Sequence, residues 1–344
     1  MRDSLQELCA AFIDNRETVK RAFKMESNYI YPICANVFCA RGVRADEESL
    51  KDCKTLLKQK TGVFSNFRGY LTAPICCMLA AGPSPENRIE RALENYQALK
   101  ERFWSSQYLA LSAFLLADMG TGQSALDCVE RGRRLYDRMK KEHPFLTSAE
   151  DCVFAVLMAF SDKGDDAVIS DMEACYQLIR KRFSSANSAQ SVSHVLSLSP
   201  GRPEEKTDRL FRIYDGLRGA GAKYGKDYHL STLAAVSVLD GDPDQIVRDI
   251  IDTDEFLSRQ KGYGFLSLNR KTRLMHAAML VSDDACSQDA ALSAVLTGEL
   301  AQTAAQTAAQ NAVMTSTLAM LAAQQAAMCA VITSSSVAAS SASN

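Results

Sequence analysis

The chain has 344 residues, of which 39 are Lys or Arg and 41 are Asp or Glu, so the formal net charge at neutral pH is −2. This balance excludes the strongly basic composition with which most nucleic-acid-binding proteins neutralise phosphates. Hydrophobic residues make up 47% of the chain, which excludes disorder of the whole chain because a protein of this length can bury a large core.

The chain begins with a segment that predicts a helix over residues 3–25, with Leu5, Leu8, Phe12, Val19 and Phe23 at helical spacing. The segment alternates charged with apolar residues and lacks the continuous apolar stretch of a signal peptide. The eleven cysteines are scattered and form no C-x-x-C pair, which is typical of buried thiols in a reducing compartment. We therefore expect a cytoplasmic location.

A pattern repeats along the chain at a period of about 40 residues. An aromatic residue is followed by an apolar residue at +3 and a cation at +4, and weaker copies begin at Cys53 and Phe256. The complete copies begin at Tyr96, Tyr136, Tyr176 and Tyr214 and place Lys100, Lys140, Arg180 and Arg218 at +4. The pattern predicts tandem copies of one structural unit.

Apolar, Ala-rich blocks lie between these markers, and each block ends at helix-breaking residues. After one of these blocks, Asp242 can cap the next helix, Pro243 fits the first position of that helix and Gln245 occupies the capping-box position. We predict an all-α domain over residues 1–299, with six antiparallel helix hairpins between residues 28 and 261 and a seventh from residue 266. A HEAT-like α-solenoid and a closed helical toroid are both compatible with this period, and we favour an open or gently curved array.

Residues 300–344 contain no charged side chain, and Ala, Gln, Thr and Ser dominate. The spacing predicts an Ala-rich helix over 300–333 and a disordered Ser/Ala tail over 334–344. The helix could cap the last hairpin, or it could mediate a homo-oligomer through a seam that contains Asn311 and Gln325. A membrane element is disfavoured because Gln and Thr interrupt the apolar residues and no aromatic or cationic anchor flanks them.

Three segments together resemble a known family. They are the apolar block Leu71–Ala81, the second-helix segment Asn95–Leu99 and the closing stretch Met320–Met328. On these residues the chain resembles an uncharacterised bacterial family, domain of unknown function 4003, over nearly its whole length. The resemblance implies a bacterial cytoplasmic protein and supplies no activity and no catalytic residue.

Two histidines occupy the same register in predicted first helices. His194 and His276 each lie four residues before a leucine, and the corresponding place in other repeats is apolar. Gln190, Asn269 and Arg273 fall near them, so these five residues form the candidate ligand-binding site, on a concave face lined by first helices. The alternative is that each histidine is an ordinary structural residue, and no nucleophile pairs with either one.

The remaining motifs favour structural roles. Cations at the ends of the predicted second helices and carboxylates at their beginnings are what helix dipoles prefer, so we expect no metal, no cofactor and no nucleic acid. The leading hypothesis is a non-catalytic protein that binds a protein or peptide partner along one face. The alternative is an enzyme or small-ligand binder with a pocket around His194 and His276, and a third, weaker hypothesis is association with nucleic acid or a membrane surface.

Overall fold

The structure is a computed structural model that describes residues 1–119, 125–239, 241–264 and 268–287. The described residues are helical and contain no β-strand, which confirms the all-α prediction. The helices are α1 (Asp3–Ala22), α2 (Ile30–Cys39), α3 (Glu47–Lys60), α4 (Thr72–Ala80) after a short 3-10 turn (Gly69–Leu71), α5 (Pro85–Lys100), α6 (Gln107–Met119), α7 (Ala125–Glu142), α8 (Asp151–Met158), α9 (Asp165–Arg180), α10 (Ala186–Ser197), α11 (Pro203–Gly219), α12 (His229–Ser237), α13 (Pro243–Ser258) and α14 (residues 270–287). The predicted Ala-rich helix 300–333 and tail 334–344 lie outside the described residues.

Local sequence explains where several helices begin. Asp242 accepts hydrogen bonds from the backbone N–H groups of Asp244 and Gln245, and Pro243 is the first residue of α13, as predicted. The Gln245 side chain donates to Asp249 instead of returning to the backbone at Asp242, so the capping box is only half formed. Asp46 caps α3 by accepting a hydrogen bond from the Ser49 backbone N–H, and Ser185 caps α10 by accepting one from the Ser188 backbone N–H.

The helices fall into two classes that alternate along the chain. Even-numbered helices are mostly buried, and every residue of α2, α8 and α12 is buried. Odd-numbered helices are amphipathic: α7, for example, buries one stripe that includes Val129, Leu135 and Met139 and exposes the rest. The even-numbered helices therefore form the inner part of the core, and the odd-numbered helices cover it.

The contacts between helices repeat in a regular order. Each odd-numbered helix from α1 to α11 packs on the even-numbered helix that follows it and on the next odd-numbered helix. The tyrosines of the sequence pattern make equivalent contacts, because each packs against an aromatic ring from the connection between the two preceding helices. The ring centroids are 5.1 Å apart for Phe67–Tyr96, 5.5 Å for Phe103–Tyr136, 4.3 Å for His143–Tyr176 and 5.1 Å for Phe183–Tyr214.

The two ends of the helical array touch each other. Helix α1 packs against α13, and the amino group of Met1 lies 2.6 Å from Asp252. Arg2 forms ion pairs with Asp249 in α13 and Asp284 in α14. On the inner layer, Asp283 of α14 lies beside Asn36 of α2, and burial raises the pKa of the Asp283 carboxyl well above its usual range. The last helices thus contact the first ones in both layers.

Candidate functional site

His194 lies in the packed interior, beneath the connection between α7 and α8. Its side chain is fully buried, and its ring packs 5.1 Å from that of Phe154. Its Nδ1 atom is 3.4 Å from the Asp151 carboxylate, a distance at the long limit of a hydrogen bond, and the ring nitrogens have no well-directed partner. Burial lowers the pKa of His194 to about 3 and raises that of Asp151 to about 7, so the two groups form a neutral pair in acid.

Gln190 lies one helical turn before His194 and is buried as well. Its amide donates to the hydroxyl of Thr147 at 2.9 Å, and that hydroxyl donates in turn to the Met139 carbonyl. The hydrogen bonds hold the connection between α7 and α8 against α10. They give Gln190 a structural role in the packing of this connection.

The second predicted group surrounds Tyr263. The Tyr263 hydroxyl and His276 Nδ1 are 2.9 Å apart, and Arg273 donates to the Tyr263 carbonyl and to Asp254. Burial lowers the pKa of His276 to about 3, with a further contribution from the nearby Arg16 cation. Asn269 is exposed and caps α14 by accepting from the Thr272 backbone N–H at 2.9 Å.

The five predicted residues therefore divide between two places in the described part of the chain. Arg273 and His276 meet around Tyr263, whereas Gln190 and His194 lie against Thr147 and Asp151. The predicted concave, accessible face is wrong for the two histidines, because even-numbered helices are covered on the outside by odd-numbered helices and on the inside by one another. Ligand binding by these residues remains a prediction.

Hydrogen bonds join some of the connections that lead from an odd-numbered to an even-numbered helix. Asn66 in the connection before α4 donates to Ser105 in the connection before α6, at 2.8 Å. At the other side of the array, Arg270 donates to the Gly221 carbonyl in the connection before α12. These contacts bring neighbouring connections together at two places in the described residues.

We call the connections from odd- to even-numbered helices, with their flanking helical turns, the basic end, and the connections from even- to odd-numbered helices, with theirs, the acidic end. The two sets of residues meet at Arg21–Glu47 and at His194–Asp151. The basic end comprises residues 19–33, 57–75, 97–110, 139–154, 177–189, 216–232, 255–264 and 268–273. The acidic end comprises residues 1–6, 36–50, 77–88, 116–119, 125–128, 155–168, 194–206, 234–239, 241–246 and 284–287.

Charge is strongly segregated between the two ends. The basic end holds 21 Lys and Arg against 7 Asp and Glu, and the acidic end holds 7 against 15. Helix dipoles explain the placement, since cations are favoured at the C-terminus of each odd-numbered helix and carboxylates at its N-terminus. The local preferences add up, because every described odd-numbered helix ends in a connection of the basic end.

Some cations of the basic end bind carbonyl groups there, as the sequence analysis expected of a helix terminus. Lys140 donates to the Thr147 carbonyl at 2.6 Å, and Arg180 donates to the Phe183 carbonyl at 2.9 Å. Others extend into solvent: Lys24, Lys141 and Lys181, together with Lys223 and Lys226, are exposed and make no ion pair with the described residues.

The basic end also carries large apolar side chains in water. Met25, Phe64, Trp104 and Phe145 are 98%, 100%, 92% and 99% exposed, and each belongs to a different connection. At the acidic end, the large apolar residues that are exposed are Met1, Val43 and Leu126, at 38%, 39% and 64%. The most exposed apolar side chains of the described residues therefore all lie at the basic end.

The sequence analysis missed these four residues, although a signal was present. They follow one another at spacings of 39, 40 and 41 residues, close to the period of the tyrosine pattern. Each stands a few residues from an apolar side chain that is buried, such as Phe67 or Phe103, and sequence alone does not show which of two neighbouring rings points outward.

The described residues contain no group of three or more His, Cys, Asp and Glu side chains that could hold a metal ion. None of their helices is long and apolar enough to cross a membrane.

Comparisons with known proteins yield a family and one relative. The model of the family described as "Protein of unknown function (DUF4003)" matches residues 15–326, which confirms the resemblance seen in the sequence. The chain is 25% identical over 253 residues to "Uncharacterized protein YeaA" of Bacillus subtilis (strain 168), an alignment that covers 71% of this chain and 74% of the relative. No solved structure matches the chain.

Proposed function

The chain belongs to the family of unknown function DUF4003, and we propose that it is a non-catalytic binding module that docks on an anionic partner through its basic end. The observation that carries the proposal is the segregation of charge, with 21 cations against 7 carboxylates at one end of a chain whose net charge is −2. The protein or peptide partner expected from the sequence stays a prediction, and an acidic segment of such a partner meets this requirement.

The free lysines distinguish docking from helix stabilisation. A cation with a purely structural role can bind backbone carbonyls of its own connection, as Lys140 and Arg180 do at Thr147 and Phe183. Lys24, Lys181 and Lys223, in contrast, extend from three different connections. Exposed charges are screened within about 8 Å at physiological ionic strength, so a partner at this end meets the local positive potential and not the net charge of the chain.

The proposal includes the arrangement of the helices. We infer a two-layer array of about 40-residue hairpins that closes on itself, a helical toroid and not the open array that the sequence led us to favour. The repeated tyrosine contacts support the repeat, and the ion pairs of Met1 and Arg2 with α13 and α14 support closure. Closure brings all connections of one type to one end, where they present a single docking surface.

A cytoplasmic location remains part of the proposal. The described cysteines are all free thiols and all buried, which suits a reducing compartment. The alternative function, a small-ligand pocket around His194 and His276, finds no support in the contacts of these two residues, because each is enclosed by its own set of side chains.

Chromatography on a sulfonate cation exchanger at neutral pH tests the proposal. We expect the protein to be retained despite its net negative charge and to elute with salt. A variant with Glu in place of Lys24, Lys141, Lys181 and Lys223 should flow through. The matched control replaces four exposed arginines outside the basic end by Glu, so that both variants have the same net charge; they are Arg44, Arg91, Arg202 and Arg248.

The same variants are then compared for binding of a fluorescent polyglutamate peptide, which stands for an acidic protein segment. The wild-type chain and the arginine control should bind it in a salt-dependent way, and the lysine variant should not. Equal loss of retention and of peptide binding in both variants would show that only the net charge matters and would overturn the proposal.

A further inference from the structure

We propose that the anionic partner of the basic end is the surface of a lipid bilayer, into which Met25, Phe64, Trp104 and Phe145 insert. The inference rests on the proposed docking function and adds the apolar side chains, which charge alone does not explain. It describes binding at the membrane surface, a mode that needs no membrane-spanning helix.

The exposure of these four side chains is the first observation. Each is at least 92% accessible to water, although it belongs to a protein that otherwise buries its aromatic rings well. Single exposed apolar residues are common on soluble proteins, but a set of them gathered at one end marks an interaction surface. Here four successive connections each contribute one such side chain.

The connections hold these side chains outward. Phe103, next to Trp104, is buried and packs edge-on against Tyr136 at 5.5 Å. Phe67, three residues after Phe64, is fully buried against Tyr96. Because the neighbouring ring anchors each connection in the core, Trp104 and Phe64 cannot turn inward without breaking that packing. Both side chains therefore already point outward before any membrane is bound.

The distribution of the four side chains favours a bilayer over a protein. Protein interfaces concentrate their binding energy in a contiguous cluster that a polar rim surrounds. Here the four most exposed apolar side chains lie on separate connections and alternate with cations such as Lys24 and Arg102. Phe64 has other exposed apolar residues close by in sequence, Val63 and Tyr70. A bilayer accepts scattered insertions along one plane, with Trp and Phe at the headgroup level and lysines near anionic lipids.

The first four connections and the next two would then contribute to membrane binding in different ways. The first four connections carry the apolar side chains. In the described residues of the fifth and sixth connections, no large apolar side chain is exposed, and these connections present Lys181, Lys223 and Lys226 instead. Stable anchoring of a surface protein generally combines an apolar and an electrostatic signal, and this end supplies both.

Trp104 is the only tryptophan of the chain, so its fluorescence reports insertion directly. The full chain is mixed with vesicles of phosphatidylcholine alone or of phosphatidylcholine with phosphatidylserine. With phosphatidylserine we expect co-sedimentation, a blue shift of the emission and quenching by brominated acyl chains, all weakened by salt. Vesicles of phosphatidylcholine alone should leave the emission unchanged.

Two variants test the apolar contribution. Phe64→Ser and Phe145→Ser should each weaken partitioning onto phosphatidylserine vesicles by ~10-fold, because each removes one inserted ring. Leu126→Ser is the matched control at the acidic end and should leave partitioning unchanged. All three side chains are exposed, so circular dichroism should show that the variants fold like the wild type.

The outcomes separate this inference from the proposed function. Retention on the cation exchanger and polyglutamate binding without any change of Trp104 in vesicles would overturn the bilayer inference and leave an acidic protein as the partner. A Trp104 emission that is already blue-shifted and shielded from acrylamide before vesicles are added would show that another segment or a second copy covers the surface, which also overturns it. Failure of all three assays would overturn both proposals.

Discussion

The two ends of this molecule use charged side chains in opposite ways. At the acidic end, cations are bound within the fold: Arg88 is buried and donates to the Met78 and Leu79 carbonyls and to Asp118. Arg41 shares the same carboxylate at 3.0 Å. At the basic end, Lys24 and Lys181 extend into water next to apolar side chains that do the same. Charge thus completes the fold at the acidic end, whereas at the basic end a subset of the lysines remains available for a partner.

This difference follows from the chemistry of helix termini. The last carbonyls of the even-numbered helices point toward the acidic end and lack intrahelical partners. Arginines of odd-numbered helices donate hydrogen bonds to these carbonyls. Arg131 donates to the Ala159 carbonyl, and Arg209 donates to the carbonyls of Ser237 and Leu239. At the basic end the even-numbered helices begin, so no carbonyls are left open there except those of the exposed odd-numbered helices, which water can reach.

The largest effect we expect contrasts two rings of a single connection. Phe67→Ala should lower the free energy of unfolding by about 3–5 kcal/mol, because it removes a fully buried ring that packs on Tyr96 and Phe114. Phe64→Ala should change it by less than about 0.5 kcal/mol, because that ring is in water. Urea denaturation measures both. Equal losses would mean that Phe64 belongs to the core and not to a docking surface.

The next largest expected change in the free energy of unfolding comes from a buried ion pair at the acidic end. Asp118→Ala should destabilise the protein by about 3 kcal/mol, since it leaves the buried Arg88 cation without its counterion. The control is Asp166→Ala at the same end, which breaks an exposed ion pair with Arg138 and should cost about 0.5 kcal/mol or less. Denaturant midpoints of the two variants test this. If both are neutral, the charges of the acidic end are not structural and the contrast between the ends disappears.

A smaller effect on the free energy of unfolding comes from three buried histidines. His194, His229 and His276 have pKa values lowered to about 3, 4 and 3 by burial, so each takes up a proton on unfolding between its folded pKa and about 6.5. The free energy of unfolding therefore falls as the pH falls through this window. His276→Gln should reduce the slope by one proton, about 1.4 kcal/mol per pH unit.

Stability measured by urea denaturation at a series of pH values checks the histidine prediction. Around His276 the relevant groups are the Tyr263 hydroxyl and the Arg16 cation, and Gln can replace the hydrogen bond to Tyr263 without a titratable proton. An unchanged slope in the variant would show that His276 does not stay neutral in the folded protein.

Much of the architecture was accessible from the sequence. The all-α class, the cap at Asp242–Pro243 and membership of the family were all predicted correctly, because capping and apolar periodicity act over a few residues. The candidate site was less accessible. The register of His194 and His276 was apparent, but their enclosure depends on helices that lie far away in the chain, such as the one that brings Phe12 against His276.

By itself, the sequence determined where each helix begins and ends and which sign of charge stands at each terminus, because the helix dipole and the free backbone groups select those residues locally. The tertiary structure alone decided which connections touch one another, so that modest local preferences combine in neighbouring connections. It also decided that Phe67 packs inward while Phe64 points into water. Direction and burial are set by contacts between distant segments, and no short stretch of chain contains that information.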